Sequence, residues 1–247
     1  MPWYADYFDE RYLDVFSASF TDEHSQAEAQ AVARFLDLPP GASILDLACG
    51  QGRHAIALAR MGYTVTGLDL SPLLLARATA TAAEAGVTVT WVEGDMRDLP
   101  WEGAFDAGVN LTTAFGYFAT DDENEIVLRQ VAKVLKPGGQ FLIETMHRDY
   151  IVREYQQHDW YETDDETLVW TLRLFDAIKG RTTVVERYRT AEGEEGERYH
   201  NIRVYTATEL HAMLRRAGLE PVDTWGEWEG DAFSFDSTRL IVRAVKS

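Results

Sequence analysis

The stretch Ile44-Leu45-Asp46-Leu47-Ala48-Cys49-Gly50-Gln51-Gly52-Arg53-His54 is the part of the chain that decides its fold. An apolar run that holds one acid passes into a glycine-rich turn, and a helix-forming run follows over 55–59. This order is typical of a buried parallel strand that ends in a tight loop before a helix. Because glycine has no Cβ, a ligand can approach the backbone of such a loop closely. Asp46, which stands before the glycines, suits a ligand that carries a positive group.

Strands and helices alternate along the chain from residue 43 to residue 145. For the helix that follows the second strand, Ser71 is a suitable N-cap and Pro72 suits the first turn. Such alternation implies right-handed crossovers and a parallel sheet, whose ligands bind beyond the carboxyl ends of the strands. The apolar patterns predict strands over 43–49, 64–69, 87–92, 105–111 and 140–145, with helices over 53–61, 72–85 and 122–135.

The pattern changes after Thr145. Partial alternation with a period of two predicts an inserted antiparallel sheet of about three strands, over 168–175, 182–188 and 199–205. A helix over 209–217 then leads to two closing strands over 220–228 and 238–245. The chain therefore divides into a helical N-terminal cap over 1–40, a core over 41–149 and 206–247, and a β insertion over 150–205.

The charge and the apolar content of the chain limit its partners and its location. The 247 residues include 41 acidic and 23 basic side chains, and the net charge of −18 repels nucleic acids. No apolar run approaches the roughly 20 residues of a membrane helix, and the first residues lack a signal-peptide pattern. Cys49 is the only cysteine, which fits a reducing compartment. We expect a cytoplasmic monomer or homodimer that binds neither nucleic acid nor membrane.

Two further segments suit a nucleoside-like ligand. Asp69 ends the second predicted strand, 19 residues after Gly50 (69 − 50). An acid about 20 residues past a glycine loop is placed to accept hydrogen bonds from both ribose hydroxyls. The alternative is that Asp69 only stabilises the N-terminus of the following helix through the helix dipole. After the third strand, Asp95 could accept from an adenine amino group, with Met96 or Leu70 against the ring.

These segments together resemble the class I methyltransferases that use S-adenosylmethionine (SAM). The run Asp46-Leu47-Ala48-Cys49-Gly50-Gln51-Gly52-Arg53 resembles motif I of that family, and 94–100, 105–111 and 135–142 resemble its later segments in the same order. The aromatic N-terminal segment and the β insertion look like a bacterial small-molecule-type subgroup. The chain departs mildly at Ala48-Cys49, where many relatives have Gly-Cys or Gly-Ala.

The resemblance implies an α/β fold: a Rossmann-like, seven-stranded, mainly parallel sheet with helices on both faces, plus a small antiparallel insertion that forms part of the substrate site. It implies SAM as the cofactor, S-adenosylhomocysteine (SAH) as the product, and a small-molecule acceptor with a nitrogen or oxygen nucleophile. The cofactor-binding residues implied are Asp46, Ala48, Gly50, Gly52, Asp69, Leu70, Asp95, Met96, Asn110 and Tyr12.

Methyl transfer from a sulfonium needs no acid for the leaving group, and alignment with exclusion of water can supply much of the rate. A general base helps only where the nucleophile starts protonated. His147 could act as such a base or could join a local polar network with Glu144 and Arg148. The candidates near the methyl group are His147, Tyr117, Asn110 and Thr113, and no metal is expected.

Three alternatives stay open at this point. The stripe Tyr4, Tyr7, Phe8 and Tyr12 predicts either a lid over the cofactor or a helix packed on the core. The insertion arginines Arg173, Arg187, Arg189 and Arg203 could meet an acidic substrate or form a solvated sheet face. The protein could be an NAD-dependent oxidoreductase, because Gly50-x-Gly52-x-x-Ala55 satisfies the dinucleotide fingerprint, or a SAM-binding protein without catalysis.

Overall fold

A computed structural model of the protein describes residues 2–16, 21–163 and 165–247. The predicted cap over 1–40 therefore lies partly outside the described residues. The helices are α1 (Tyr4–Tyr7), α2 (Glu10–Phe16), α3 (Asp22–Leu36), α4 (Arg53–Arg60), α5 (Pro72–Glu84), α6 (Asp121–Val134), α7 (Arg148–Arg153) and α8 (Ala207–Arg216). The strands are β1 (Ser43–Leu47), β2 (Thr64–Asp69), β3 (Thr90–Glu93), β4 (Phe105–Asn110), β5 (Leu135–Met146), β6 (His158–Glu162), β7 (Leu168–Asp176), β8 (Arg181–Arg189), β9 (Glu195–Arg203), β10 (Leu219–Trp225) and β11 (Arg239–Lys246).

The larger sheet has the strand order β10-β11-β5-β4-β1-β2-β3 in the described part of the chain. The strands from β5 to β3 run parallel to their neighbours, whereas β11 runs antiparallel to both β5 and β10. This seven-stranded, mainly parallel sheet confirms the predicted fold class. The chain order reverses between β1 and β4, which is the position where sheets of this type bind ligands.

Alternate residues of the central strands face two hydrophobic cores. Leu45 and Leu47 of β1 belong to the core that α6 and α8 cover, whereas Ile44 belongs to the core that α3 and α4 cover. All three side chains are buried. Helices therefore lie on both faces of the sheet, and burial on both faces explains the continuous apolar sequence of β1.

The insertion has four antiparallel strands among the residues that the structure describes, in the order β6-β7-β8-β9, so the prediction of about three strands was wrong. The missed strand is β6, whose sequence His158-Asp159-Trp160-Tyr161-Glu162 shows no apolar alternation. Tertiary pairing fixes it instead, since Trp160 lies opposite Trp170 of β7.

The helix caps explain where several predicted boundaries hold or shift. The Ser71 side chain accepts a hydrogen bond from the backbone N–H of Leu74 at 3.3 Å, which confirms the predicted N-cap of α5. At the other end of α5, Gly86 has a φ of 68°, and the N–H of Val87 donates to the carbonyl of Ala82 at 3.1 Å. The cap thus extends to residue 87, and β3 begins at Thr90 rather than at residue 87.

The leader, which we define as α1 and α2, packs against the insertion. The Tyr7 hydroxyl lies 3.5 Å from Glu186 Oε2 and 3.2 Å from His200 Nδ1. Arg11 Nη2 donates to Thr167 Oγ1 at 2.7 Å. The leader and the insertion are therefore bound to each other beside the carboxyl end of the large sheet. Over residues 2–16, 21–163 and 165–247, no helix is both long enough and apolar enough to cross a membrane.

Candidate active site

A cleft lies at the carboxyl ends of β1, β2 and β4, where the leader passes over the sheet. It contains about 1230 Å³ of empty space, including its open mouth. The structure brings most of the predicted site residues together in its lining: Asp46, Ala48, Gly50, Asp69, Leu70, Asp95, Met96, Tyr12 and Tyr117. The predicted residues Gly52, Asn110, Thr113 and His147 are not among the described residues that line it.

Asp46 lies near the end of β1, before the glycine loop (48–52). Its side chain is buried, and Oδ2 has no hydrogen-bond partner in the described part of the protein. Burial raises the pKa of Asp46 to about 7, although the Arg53 guanidinium and a hydrogen bond from the Ala55 backbone favour the charged form. A buried carboxylate oxygen without a partner is costly, so this position is suited to a cationic ligand group.

Asp69 ends β2 and binds the backbone of two neighbouring segments. Its Oδ2 accepts from the Gly50 N–H at 2.7 Å, and its Oδ1 accepts from the Ser71 N–H at 2.8 Å. Burial raises the pKa of Asp69, and these backbone hydrogen bonds oppose the rise. Each carboxylate oxygen can accept two hydrogen bonds, so both oxygens retain capacity for ligand hydroxyls.

The two glycines of the loop serve different purposes. Gly50 has a φ of 55°, and a Cβ added there would contact only Leu74, at 3.8 Å. Gly52 has a φ of 78°, and a Cβ there would overlap the Trp91 ring and lie 3.0 Å from Ala78 Cβ. Close packing of α4 against β3 and α5 therefore requires Gly52, and its role in cofactor binding stays a prediction.

Asp95 lies at the edge of the cleft and is paired with Arg97. Arg97 Nη2 lies 2.7 Å from Asp95 Oδ2, and its guanidinium carbon lies 4.1 Å from the centre of the Phe118 ring. Burial alone would raise the pKa of Asp95, but the hydrogen bonds from Arg97 lower it below its usual value. The carboxylate therefore stays charged at neutral pH, beside the buried Met96.

Arg53 and His54, which open α4, bind one carboxylate of α3. Glu28 Oε2 accepts a hydrogen bond from Arg53 Nη1 and lies 2.8 Å from His54 Nε2. Burial alone would raise the pKa of Glu28, but the hydrogen bonds from His54 and Arg53 lower it to about 2. The sequence did not indicate this contact, because Glu28 is separated from Arg53 by 25 residues.

Two consecutive threonines follow β4 with left-handed backbone. The φ angles are 57° at Thr112 and 56° at Thr113, a conformation that β-branched residues rarely adopt. Glu144 of β5 supports it, since its Oε2 accepts from the N–H of Thr112 at 2.6 Å and from that of Thr113 at 3.3 Å. Arg239 Nη1 of β11 donates to the other oxygen of Glu144 at 2.9 Å. The sequence predicts a site position for Thr113 but contains no local signal for this function of Glu144, which lies 32 residues from Thr112.

Asn110 and His147 make other contacts. Asn110 is fully buried and its Nδ2 donates to the Leu47 carbonyl at 3.1 Å. His147 is 2% exposed, its Nδ1 lies 2.8 Å from the Ser237 carbonyl oxygen, and its ring packs 4.7 Å from that of Phe233. The geometry gives no support to His147 as a base at the cleft, and the catalytic roles of both residues stay predictions.

An aromatic wall, formed by Tyr4, Phe8, Tyr12 and Tyr117, lines the leader side of the cleft. The rings of Phe8 and Tyr117 are stacked with their centres 6.1 Å apart. Burial raises the pKa of Tyr117 well above its usual value and that of Tyr12 to about 12. Both phenols are therefore protonated at neutral pH and can donate hydrogen bonds. Tyr7, the other member of the stripe, faces the insertion.

The insertion arginines are engaged by acids and are not among the described lining residues. Their ion pairs are Arg173–Asp159 at 3.5 Å, Arg187–Glu197 at 2.7 Å, Arg189–Glu195 at 3.9 Å and Arg203–Glu209 at 2.8 Å. The structure therefore gives no support to an acidic substrate bound by these arginines.

Comparison with known proteins identifies the central domain. Residues 44–139 match the family described as "Methyltransferase domain". The putative methyltransferase YqeM of Bacillus subtilis (strain 168) is 28% identical over 215 residues, which cover 85% of this chain and 86% of that relative.

Two solved structures have the same fold. An S-adenosylmethionine-dependent methyltransferase from Clostridium acetobutylicum ATCC 824 matches with a TM-score of 0.81 at 17% identity, over 98% of this chain and 99% of that chain. The sugar N-methyltransferase KedS8 from Streptoalloteichus sp ATCC 53650 matches with a TM-score of 0.68 at 25% identity, over 89% of this chain and 87% of that chain. These matches favour a methyltransferase over an NAD-dependent oxidoreductase. Residues 44–139 therefore carry a methyltransferase domain, and the described fold is similar to that of solved S-adenosylmethionine-dependent methyltransferases.

Proposed function

We propose that the protein transfers the methyl group of SAM to a nitrogen nucleophile of a small molecule in the cleft between the glycine loop and the leader. The observation that carries this proposal is the composition of the cleft. Asp46, Asp69 and Asp95 lie in its lining together with the aromatic wall. When bound, SAM supplies an electrophilic methyl group on a sulfonium, which the nucleophile displaces in line.

The polar groups of the cleft match the separate parts of the cofactor. Asp46 would receive the ammonium group, because its Oδ2 is buried and has no partner among the described residues. An ammonium group there would also favour the charged carboxylate. Gly50, which has no Cβ, would let the methionine part of the cofactor approach the glycine loop closely.

The nucleoside part fits the next two strand ends. Asp69 would accept the ribose hydroxyls on the free lone pairs of its two oxygens. Asp95 would accept from the adenine amino group, and the side chains of Met96 and Leu70 would contact the faces of the ring. Tyr12 would close the cleft from the leader side.

A nitrogen nucleophile is favoured because no described residue of the aromatic wall is suited to act as a base. Burial keeps the phenols of Tyr117 and Tyr12 protonated, since it raises the pKa of each. A hydroxyl nucleophile starts protonated and gains from a base, whereas a neutral amine attacks with a free electron pair. The likeness to a sugar N-methyltransferase fits this choice.

The charge of the cleft also favours an amine over an acidic acceptor. Three carboxylates line it, and the basic lining residues Arg53 and His54 both bind Glu28. The chain as a whole has a net charge of −18. This field repels a carboxylate acceptor but not a neutral amine. The amine attacks with its free electron pair, and the methylated ammonium that results then releases its proton to water.

The test is a turnover assay with matched acceptors. The enzyme and SAM are incubated with small primary amines and amino sugars, with their hydroxyl analogues, and with carboxylic acids, and SAH is measured by mass spectrometry. We expect SAH with amines and little with the matched alcohols. Turnover confined to alcohols or acids would contradict the nitrogen acceptor, and SAH binding without turnover would support the non-catalytic alternative.

A further inference from the structure

We infer that Glu144 is a positioning residue of the SAM cleft: its buried carboxylate fixes the Thr112–Thr113 turn and, through Thr112, the guanidinium of Arg53. Glu144 itself does not belong to the described lining of the cleft. Thr112 and Arg53 do belong to it, so Glu144 acts on the cleft through them. The inference rests on the proposed function, because it takes this cleft as the SAM site.

The first step is the conformation of the turn. Left-handed backbone at two successive β-branched residues is strained, and such strain persists only where the surroundings hold it. The N–H groups of Thr112 and Thr113 both donate to Glu144 Oε2, at 2.6 Å and 3.3 Å. Glu144 Oε2 therefore accepts hydrogen bonds from two consecutive N–H groups, and the left-handed backbone directs both of them towards this oxygen.

The second step is the fixed position of the carboxylate. The Glu144 side chain is 2% exposed and projects from the centre of the sheet, where Glu144 pairs with Ile241 of β11. Its Oε1 accepts from Arg239 Nη1 at 2.9 Å. A buried carboxylate with both oxygens bound has little freedom to move, so it can define the position of the turn.

The third step leads from the turn to the cofactor end of the cleft. Arg53 Nη2 donates to Thr112 Oγ1 at 2.8 Å, while its Nη1 donates to Glu28. The charge of Arg53 lowers the pKa of Asp46 against the effect of burial. A displaced turn would remove one support of Arg53, and Asp46 would then hold an ammonium group less well.

Glycine would adopt this backbone at Thr112 and Thr113 without the strain that threonine incurs. The hydroxyl of Thr112 supplies what glycine lacks, namely the hydrogen bond to Arg53. The hydrogen bond between Thr112 and Arg53 therefore explains why a strained threonine, held by the buried Glu144 carboxylate, stands at this position.

The experiment measures SAH affinity by calorimetry at pH 8, with thermal unfolding as the check of folding. We expect Glu144→Gln to weaken SAH binding about tenfold, since the amide has no charge and places its NH₂ group against the donors on one side, either those of Thr112 and Thr113 or that of Arg239. Adding Thr113→Gly to Glu144→Gln should restore affinity to within about threefold of wild type, because glycine needs no support at positive φ. The matched control is Asp223→Asn, which alters another arginine–carboxylate pair of β11, that of Asp223 with Arg243, and should leave SAH affinity unchanged.

A second variant avoids the buried site. Thr112→Val removes the hydroxyl that binds Arg53 at an exposed position, and it should weaken SAH binding without lowering the unfolding temperature. Wild-type affinity in a folded Glu144→Gln protein, or in Thr112→Val, would overturn the inference. So would the absence of rescue by Thr113→Gly, because a merely destabilised fold would not respond to that change.

The wild-type arm separates this inference from the proposed function. If wild type does not bind SAH, the proposed function has failed. The part of Glu144 in the turn is then tested in the ligand-free protein by amide hydrogen exchange. We expect the Thr112 amide to be protected in wild type and to exchange faster in Glu144→Gln, and equal exchange in the two proteins would contradict the claim that Glu144 fixes the turn.

Discussion

The Oδ2 atom of Asp69 accepts a hydrogen bond from the backbone nitrogen of Gly50 at 2.7 Å, which joins the acid at the end of β2 to the glycine loop that follows β1. The other oxygen of Asp69 is bound to the Ser71 N–H at 2.8 Å. The carboxylate therefore has a defined orientation before a ligand arrives, which reduces the cost of ordering the site on binding.

Replacement of Asp69 should weaken cofactor binding more than it weakens the fold. We expect Asp69→Ala to reduce SAH affinity by roughly 10- to 100-fold in calorimetry, as for the loss of hydrogen bonds to a charged group. Asp106→Ala is the matched control, because Asp106 lies at the start of β4, where it binds Ser43 and Lys136 away from the cleft. An equal loss in the two variants would contradict the assignment of Asp69.

The protonation of Asp46 should make SAH binding depend on pH. Burial raises the pKa of Asp46 to about 7 in the ligand-free protein, and an ammonium group needs the carboxylate form. Below pH 7 the Asp46 carboxyl of the free protein holds a proton that must leave when an ammonium group binds. The dissociation constant of SAH should therefore rise by up to about tenfold for each unit by which the pH falls. The Asp46→Asn protein should bind SAH weakly, and its dissociation constant should change much less between pH 5.5 and 8. A wild-type dissociation constant that does not change with pH would count against Asp46 as the partner of the ammonium group.

Alanine at the two loop glycines should separate packing from ligand access. Gly52→Ala should destabilise the fold by about 3 kcal/mol or more, because positive φ and contact with the Trp91 ring act together. Gly50→Ala has open space and should cost only about 1–2 kcal/mol, from its φ alone, while it weakens SAH binding. Chemical denaturation with parallel calorimetry checks both, and equal stabilities for the two variants would contradict the packing role of Gly52.

The aromatic wall should retain the bound cofactor. Phe8→Ala removes a half-buried ring that lines the cleft, while Tyr7 and Arg11 still attach the leader to the insertion. We expect roughly fivefold faster SAH dissociation in stopped-flow fluorescence, with little change in unfolding temperature. Glu10→Ala, at an exposed position of the same leader, is the control. An unchanged dissociation rate in Phe8→Ala would show that the wall does not retain the ligand.

The sequence predicted the parts of the site that follow from the order of strands. Asp46, Gly50 and Asp69 stand at or just after the ends of buried strands, and parallel strands bring such ends to one edge of a sheet. The positions of Asp46, Gly50 and Asp69 relative to the strand ends therefore predicted that they lie together at one edge of the sheet. The N-cap Ser71 was predicted for a similar reason, since caps depend on residues within one turn.

The sequence could not show contacts that depend on tertiary packing. Glu144 lies 32 residues from Thr112, and Arg239 lies 95 residues from Glu144, so no local pattern connects them. His147 was expected near the methyl group because it follows β5, but its ring is bound at Ser237. The helical leader was predicted as a lid or a packed helix, and its attachment to the insertion follows from contacts such as that of Arg11 with Thr167.

The most direct test of the central claim is a calorimetric titration of the wild-type protein with SAM, SAH and NAD. The account predicts micromolar binding of the two sulfur ligands and no binding of NAD, because the cleft offers Asp46 for an ammonium group and Asp69 for a ribose. Binding of NAD in preference to SAM and SAH, or binding of none of the three, would contradict it.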